Sequence, residues 1–230
     1  MKLKGKVAVV RGGARGIGRA SAILFAKEGA KVVVADNRSD LGQETALLIE
    51  EAGSQAHFLL TDVTDETQVK AMVDDAVAHW GRIDILFNNA GIVLAKYLED
   101  TTTAEWDRVL SVNLKSIFLA VKQVVPHMRR QRGGVILNTA SINSFVGQFK
   151  LPVYTASKGA ALLLTKSLAL DYAVDNIRVN CICPGITDTP MLREHMEASG
   201  DPAAIIRDRQ ARVPLGRFLT PQDIASAALY

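Results

Sequence analysis

Val7-Ala8-Val9-Val10-Arg11-Gly12-Gly13-Ala14-Arg15-Gly16-Ile17-Gly18 is an apolar run that breaks into glycines spaced G-x-x-x-G-x-G and resumes with helical periodicity. Val7 to Val10 is apolar at every position, which suits a strand covered on both faces in a parallel sheet. Gly12, Gly16 and Gly18 let the backbone approach a pyrophosphate closely, and a helix opening with Arg15, Gly16 and Ile17 offers free amides and a partial positive charge. The plain alternative is a glycine turn without a ligand. Asp36 weighs against it, because an acidic residue eighteen positions beyond Gly18, at the end of the next apolar run, completes the pattern of dinucleotide binding. A carboxylate there accepts hydrogen bonds from an adenosine ribose and repels a 2'-phosphate, so NAD is favoured over NADP. Arg15 and Arg38 pull the other way, since either guanidinium pairs with that phosphate.

Outward from this turn the same rhythm repeats. Strands are expected at Val7 to Val10, Lys31 to Ala35, Ala56 to Leu60, Ile83 to Phe87, Val135 to Thr139 and Arg178 to Cys183. Helices fall at Ile17 to Glu28, Asp40 to Ala52, Glu66 to Trp80, Thr103 to Arg130 with a break near Asn113, and Val153 to Ala173. Strand and helix alternating in this way describe an α/β fold: a doubly wound, Rossmann-like parallel sheet with helices on both faces, in three layers. No linker, repeat or low-complexity tract divides residues 1–230, so one domain is expected, with any ligand beyond the carboxyl ends of the strands. Helix starts are signalled at Thr64, ahead of Thr67 and Gln68, and at Thr220, followed by Pro221 and Asp223.

Composition narrows the partners. The 230 residues carry a formal net charge of +3 and are 48% hydrophobic, the balance of a globular chain with one sizeable core. Charges are dispersed, and Arg129, Arg130 and Arg132 before Gly133 read as the last turn of a helix, so no nucleic acid is expected. No apolar span of bilayer length and no signal-like N-terminus stand out, which points to a cytoplasmic protein without a membrane partner. Cys181 and Cys183, on one face of a strand, read as buried free thiols in a reducing compartment. His57, His79, His127 and His195 are scattered without the spacing of a metal site, and no metal is expected. Neither a Gly-x-Ser-x-Gly elbow nor a Gly-Lys-Ser/Thr phosphate loop is present, which disfavours hydrolases and NTPases.

The chemistry concentrates later in the chain. Tyr154 and Lys158 share one face of a predicted helix, where an ammonium would draw a phenol down from its ordinary pKa of ~10 toward a range useful for general acid/base work. Ser141 lies thirteen positions before Tyr154. Asn88-Asn89-Ala90-Gly91 follows the fourth strand and could line a cofactor cleft or simply form a turn. Asp62 and Val63 follow the third strand, where Asp62 could hold an adenine edge or shape a turn. Asn113 is a poor helix former inside a helical stretch, either functional or capping a break.

Gly12-x-x-x-Gly16-x-Gly18, Asn88-Asn89-Ala90-Gly91, Asn113, Ser141, Tyr154-x-x-x-Lys158 and Pro184-Gly185 stand in the order and spacing of the short-chain dehydrogenase/reductase family, and the chain resembles its single-domain members over essentially its whole length. The resemblance implies that Tyr154 exchanges a proton with the substrate oxygen. It implies that Lys158 binds the nicotinamide ribose and lowers the tyrosine pKa, that Ser141 bonds the substrate oxygen, and that Asn113 holds a water in a proton relay. Pro184, Gly185, Ile186 and Thr189 would contact the nicotinamide amide, joining Gly12, Arg15, Gly16, Ile17, Gly18, Asp36, Asp62, Val63, Asn89, Ala90 and Gly91 in cofactor binding. It also implies a homo-oligomer, a tetramer or a dimer. Two departures stand out. Arg11 occupies the place of a small hydroxyl residue and is expected to swing outward, because a buried unpaired charge is costly. The chain also ends soon after the helix that starts at Pro221, where family members continue into a further edge strand.

The leading expectation is an oxidoreductase that moves hydride between NAD(H) and a small-molecule secondary alcohol or ketone. An NADP(H)-dependent carbonyl or 3-oxoacyl reductase is the enzymatic alternative, and a non-catalytic nucleotide-binding sensor or assembly subunit is the alternative of another class. Residues 189–213, with Pro190 and Gly200-Asp201-Pro202, read as a lid of short helices. Phe145, Phe149, Leu151, Leu94, Tyr97, Met191 and Met196 are candidates for substrate lining or for ordinary packing.

Overall fold

The structure, a computed structural model, describes residues 1–197 and 202–230. Its first half alternates β1 (Val7–Arg11), α1 (Gly16–Lys27), β2 (Lys31–Asp36), α2 (Ser39–Glu51), β3 (Ala56–Leu60), α3 (Glu66–Trp80) and β4 (Ile85–Asn88). Then come α4 (Thr103–Leu110), a π turn (Ser111–Lys115), α5 (Ser116–Arg130), β5 (Gly134–Thr139), α6 (Pro152–Tyr172) and β6 (Ile177–Ile182). α7 (Pro190–Glu197), α8 (Pro202–Ala211) and α9 (Pro221–Leu229) follow. All strand pairs are parallel in the order β3-β2-β1-β4-β5-β6, so the sheet winds outward in both directions from β1 and β4. That reversal opens a crevice at the carboxyl ends of the two central strands.

Alternation along each strand sorts the core into two layers. Ala8, Val10, Val32 and Val34 face Phe25 and Ala26 of α1 and Ile49 of α2. Val9 and Val33 face the other way, onto Val69, Met72 and Val73 of α3 and Leu119 and Val124 of α5. The cysteines Cys181 and Cys183 are free as expected, though only partly buried. Burial pushes the Cys181 thiol up to about 11, leaving it protonated and unreactive.

The same parity corrects the reading of Arg11. Two residues beyond Val9, it points into the layer under α5 and is fully buried. Nη1 donates to Asn88 Oδ1 at 2.6 Å and to the Ser116 carbonyl at 2.9 Å, and Nη2 to the Val63 carbonyl at 3.3 Å. Burial draws the guanidinium down to about 9, and Nε finds no hydrogen-bond partner. Turning the strand over would not free Arg11, because the opposite face of β1 is equally buried, with Ala8 and Val10 packed against α1 and α2.

Two further readings change. α3 is capped by Asp65, whose carboxylate accepts from the amides of Thr67 and Gln68, and Thr64 instead donates to Asp62. The segment Thr103–Arg130 is long and apolar enough to cross a bilayer, contrary to the expectation of no such span; here its α5 half buries Ile117, Leu119, Val121 and Val124 against the sheet. At Thr220 the expected cap is present: Thr220 accepts from the Asp223 amide and the Asp223 carboxylate accepts from Thr220 N. α9 packs on α1, and among the described residues β6 is an edge of the sheet.

Candidate active site

A cleft of about 1890 Å³ lies across the carboxyl ends of the strands. Its floor is the turn between β1 and α1. Gly12 has φ +74° and Gly16 φ +56°, in the left-handed region that glycine adopts without strain. A Cβ on Gly12 would sit 2.8 Å from Ala90, and one on Gly18 only 1.9 Å from the Gly12 carbonyl. Gly12 and Gly16 therefore line the cleft, whereas Gly18 lets α1 close onto the turn from behind. The turn is pinned by Gly12 N to the Ala35 carbonyl at 2.8 Å and by Asn89 Nδ2 to the Gly12 carbonyl at 3.2 Å.

Asp36 reaches over this floor. Its Oδ2 accepts from the Ala14 amide at 3.0 Å and its Oδ1 from the Arg38 amide at 3.0 Å. Arg15 lines the cleft and forms a bidentate ion pair with Glu194 of α7, tying the glycine turn to the helix above it. Asp62 and Val63 line the next stretch of wall. Backbone and hydroxyl bonds from Thr64 hold the Asp62 carboxyl below its usual range, against the opposing effect of burial. Asp62 thus shapes its turn as well as facing the cleft.

On the opposite wall, the Tyr154 side chain faces the cleft with Ser141 and Lys158. Pro152 at the first position of α6 starts the helix that carries both Tyr154 and Lys158 on one face. Ser141 caps a short 3-10 turn, Ile142–Ser144, its Oγ accepting from the Asn143 amide at 3.1 Å. Ser144 Oγ donates to the Lys158 carbonyl at 2.8 Å and so locks this turn onto α6. Burial raises the Tyr154 phenol above its ordinary pKa, and the Ser141 hydroxyl bonded to it pulls partly back. Lys158 is buried, donates to the Thr139 carbonyl at 2.7 Å, and is drawn down to about 8 by that burial. In place of the expected depression by the lysine, burial moves the phenol upward, opposed by the Ser141 hydroxyl.

Asn113 is fully buried in the π turn between α4 and α5. Its Oδ1 accepts from Ile92 N at 2.8 Å, and its Nδ2 donates to the Ile92 carbonyl at 2.9 Å and to Ser157 Oγ at 3.0 Å. Both amide donors are therefore committed to the scaffold. A Cβ on Gly91 would lie 3.4 Å from both Asn113 Oδ1 and Lys158 Nζ, so the glycine keeps this corner open. Asn89, Ala90 and Gly91 line the cleft, while Asn88 turns away to bond Arg11 and Asn138.

Pro184, Gly185, Ile186 and Thr189 complete the wall beyond β6. Of the proposed lining residues, Phe149, Leu151 and Met191 face the cleft. Tyr97 instead packs edge-on to Phe149 at 5.5 Å, Met196 is buried, and Phe145 is exposed. The lid is built of α7 and α8 as expected, with Gly200 and Asp201 outside the described residues. Sequence reasoning passed over Arg108, Thr139, His195 and Arg209, which also line the cleft. His195 and Arg209 sit on the lid helices at a polar spacing that carries no distinguishing signal.

Glycine cradle, acidic strand end and Ser-Tyr-Lys wall fit a nicotinamide dinucleotide, since a side chain at Gly12 would close the floor. Residues 6–200 match the family described as short chain dehydrogenase. The chain belongs to the short-chain dehydrogenase/reductase family. It is therefore a nicotinamide-dependent oxidoreductase acting on CH–OH groups. Cyclopentanol dehydrogenase of Comamonas sp. (strain NCIMB 9872) is 39% identical over 229 residues, 100% of this chain and 90% of that protein. Cis-4-hydroxycyclohexanecarboxylate dehydrogenase of Sinomonas cyclohexanicum is 39% identical over 226 residues, covering 98% and 88%. A crystal structure of a short-chain dehydrogenase/reductase from Burkholderia xenovorans superimposes with a TM-score of 0.95 at 37% identity, covering 99% of this chain and 89% of that one.

Proposed function

We propose that this short-chain dehydrogenase interconverts a ring-borne secondary alcohol and its ketone with NAD(H). Bound in the cleft, the dinucleotide would supply the hydride acceptor or donor, with Gly12, Gly16, Asp36, Asp62 and Val63 facing its adenosine and phosphate half and Gly185, Ile186, Thr189, Lys158 and Asn89 its nicotinamide half. Ala90 and Gly91 leave the floor unobstructed. Tyr154 transfers the proton to or from the substrate oxygen, and Ser141 donates a hydrogen bond to that oxygen as charge develops on it. Lys158 holds the cofactor ribose and favours the phenolate when protonated. Because the side-chain donors of Asn113 are already used, its part in a proton relay falls to the main chain of the widened π turn.

The observation that carries this reading is the junction of Tyr154 with the Ser141 hydroxyl on a wall shared with buried Lys158. The ring-borne substrate rests on the names of the two alicyclic alcohol dehydrogenases it resembles and on the apolar wall of Phe149, Leu151 and Met191. NAD preference rests on Asp36; Arg15 and Arg38 on the same rim favour the second reading, an NADP(H)-dependent ketone reductase. A cytoplasmic homo-oligomer is part of the proposal, supported by Phe118 of α5 and Leu163 and Leu170 of α6, which stand exposed on outer helix faces. Steady-state assays with cyclopentanol, cyclohexanol and linear secondary alcohols, each with NAD and NADP, test it. Turnover of linear alcohols alone, or with NADP alone, would overturn the corresponding part.

A further inference from the structure

His57, Asp75 and His79 come together at the end of the sheet opposite the cleft. Strand parity turns His57 of β3 with Leu59 toward α3, while Phe58 between them faces α2. Asp75 and His79 are one turn apart on α3 and share the face that meets them. Their potential ligand atoms all lie within 4.8 Å of one another. The histidines, distant in the chain, are neighbours whose rings stack at 4.7 Å, which corrects the reading of them as scattered.

The spacing is informative. Asp75 Oδ2 is 3.4 Å from His57 Nε2 and 3.4 Å from His79 Nδ1. It is shielded from solvent and has no hydrogen-bond partner. A charge-assisted hydrogen bond would draw such a pair to about 2.7–2.9 Å. Ligands of a tetrahedral zinc, each about 2.0–2.1 Å from the ion, stand about 3.3 Å apart. His79 Nδ1 also lies 3.3 Å from the Asp75 carbonyl oxygen, a long contact that depends on the ring tautomer. A carboxylate oxygen shielded from solvent, 3.4 Å from each of two imidazole nitrogens, with all three atoms within 4.8 Å of one another, has the composition and proximity of a cation site.

We propose that His57 Nε2, Asp75 Oδ2 and His79 Nδ1 bind one divalent first-row transition ion, such as Zn²⁺, with water as the fourth ligand. Two imidazoles and one carboxylate select this class over Mg²⁺ and Ca²⁺, which prefer all-oxygen shells. The ion clips the edge strand β3 to the C-terminal half of α3. His57 lies five residues before Asp62, about 17 Å along a strand, so the ion is remote from the reacting atoms and acts on stability rather than on turnover.

The test uses tag-free protein stripped with chelator and titrated with ZnCl₂ in a calorimeter, alongside the His57→Gln/His79→Gln variant. The wild type is expected to bind one equivalent and to gain thermal stability, and the variant to bind at least tenfold more weakly while keeping its oxidoreductase activity. Absence of stoichiometric binding, or full retention in the variant, overturns the site. Should the variant fail to fold, Cu²⁺ added to the wild type gives an independent reading. An electron paramagnetic resonance spectrum with coupling to two imidazole nitrogens supports the site, and a spectrum without nitrogen coupling overturns it.

Discussion

Lys158 Nζ lies 5.9 Å from the centroid of the Tyr154 ring and spends a hydrogen bond on the Thr139 carbonyl, 2.7 Å away. Two buried groups thus shift in opposite directions, the phenol upward and the ammonium downward. Both shifts disfavour charge, which makes neutral phenol the resting form near neutral pH. Protonated Tyr154 is ready to act as the acid in ketone reduction, whereas alcohol oxidation needs its conjugate base. The ratio of oxidative to reductive kcat/KM is expected to rise with pH, and Tyr154→Phe is expected to lose about 100-fold or more in both directions while still binding NADH. Paired pH profiles with fluorescence titration check this; wild-type turnover in the variant would remove Tyr154 from the mechanism.

Lys158 also leaves a signature in stability. Its pKa is about 8 in the folded protein against 10.5 as the ordinary value. Below pH 8 it is charged in both states and its burial cost is fully felt. Between those values the unfolded chain binds the extra proton, so stability rises with pH. Relative to Lys158→Met, the wild type should gain up to about 3 kcal/mol across that window, measured by urea unfolding near pH 7 and pH 10.5. A pH-independent difference between the two proteins would show that the lysine is not desolvated.

Arg11 bridges three chain segments: Asn88 at the end of β4, Val63 after β3 and the start of α5 at Ser116. Arg11→Ala leaves these acceptors unpaired beside a cavity. Chemical denaturation is expected to show a loss of about 2–4 kcal/mol. Because Val63 and the neighbour of Asn88, Asn89, line the cleft, the NADH dissociation constant should rise as well. Unchanged stability would mean that the guanidinium merely fills space.

How far the sequence could be read follows from the range of each signal. Short apolar runs and glycine punctuation are local, and they place the six strands within two residues, together with the helix that carries Tyr154 and Lys158. Arg11 departs from its expectation because strand parity prevails over charge: its place two residues after Val9 puts it in the layer under α5, where Asn88, Ser116 and Val63 supply acceptors. Thr64 and Asp65 are both good caps, and only the path of the turn through Asp62 decides between them. The meeting of His57 with His79 depends on how β3 packs on α3, which no local pattern encodes. The Tyr154 shift is equally nonlocal, since its main cause is burial by several segments.

Asn113 contributes three hydrogen bonds that join the π turn, the segment at Ile92 and α6 through Ser157. Asn113→Leu preserves approximate volume and removes all three, so it should lower the thermal midpoint and reduce kcat more than the cofactor's affinity. Thermal unfolding and single-turnover kinetics measure the two effects. A variant that keeps full kcat would show that the π turn is only a packing feature.

On the proposed reading, cofactor choice turns on Asp36 and on the pair Arg15 and Glu194. The Asp36 carboxylate faces the cleft while bonding the Ala14 and Arg38 amides, so it braces the glycine turn and is the proposed reader of the ribose. Asp36→Ala removes both roles and should lower kcat/KM for NAD while raising the NADP/NAD ratio by about tenfold, the worth of one 1.4 kcal/mol contact. Glu194→Gln removes the negative partner of Arg15 without touching the turn. The released guanidinium becomes available to a 2'-phosphate, which should improve NADP with little change for NAD. Initial-rate ratios for both cofactors separate the contributions. If neither substitution moves the ratio, cofactor choice resides elsewhere on the rim, with Arg38 the next residue to replace.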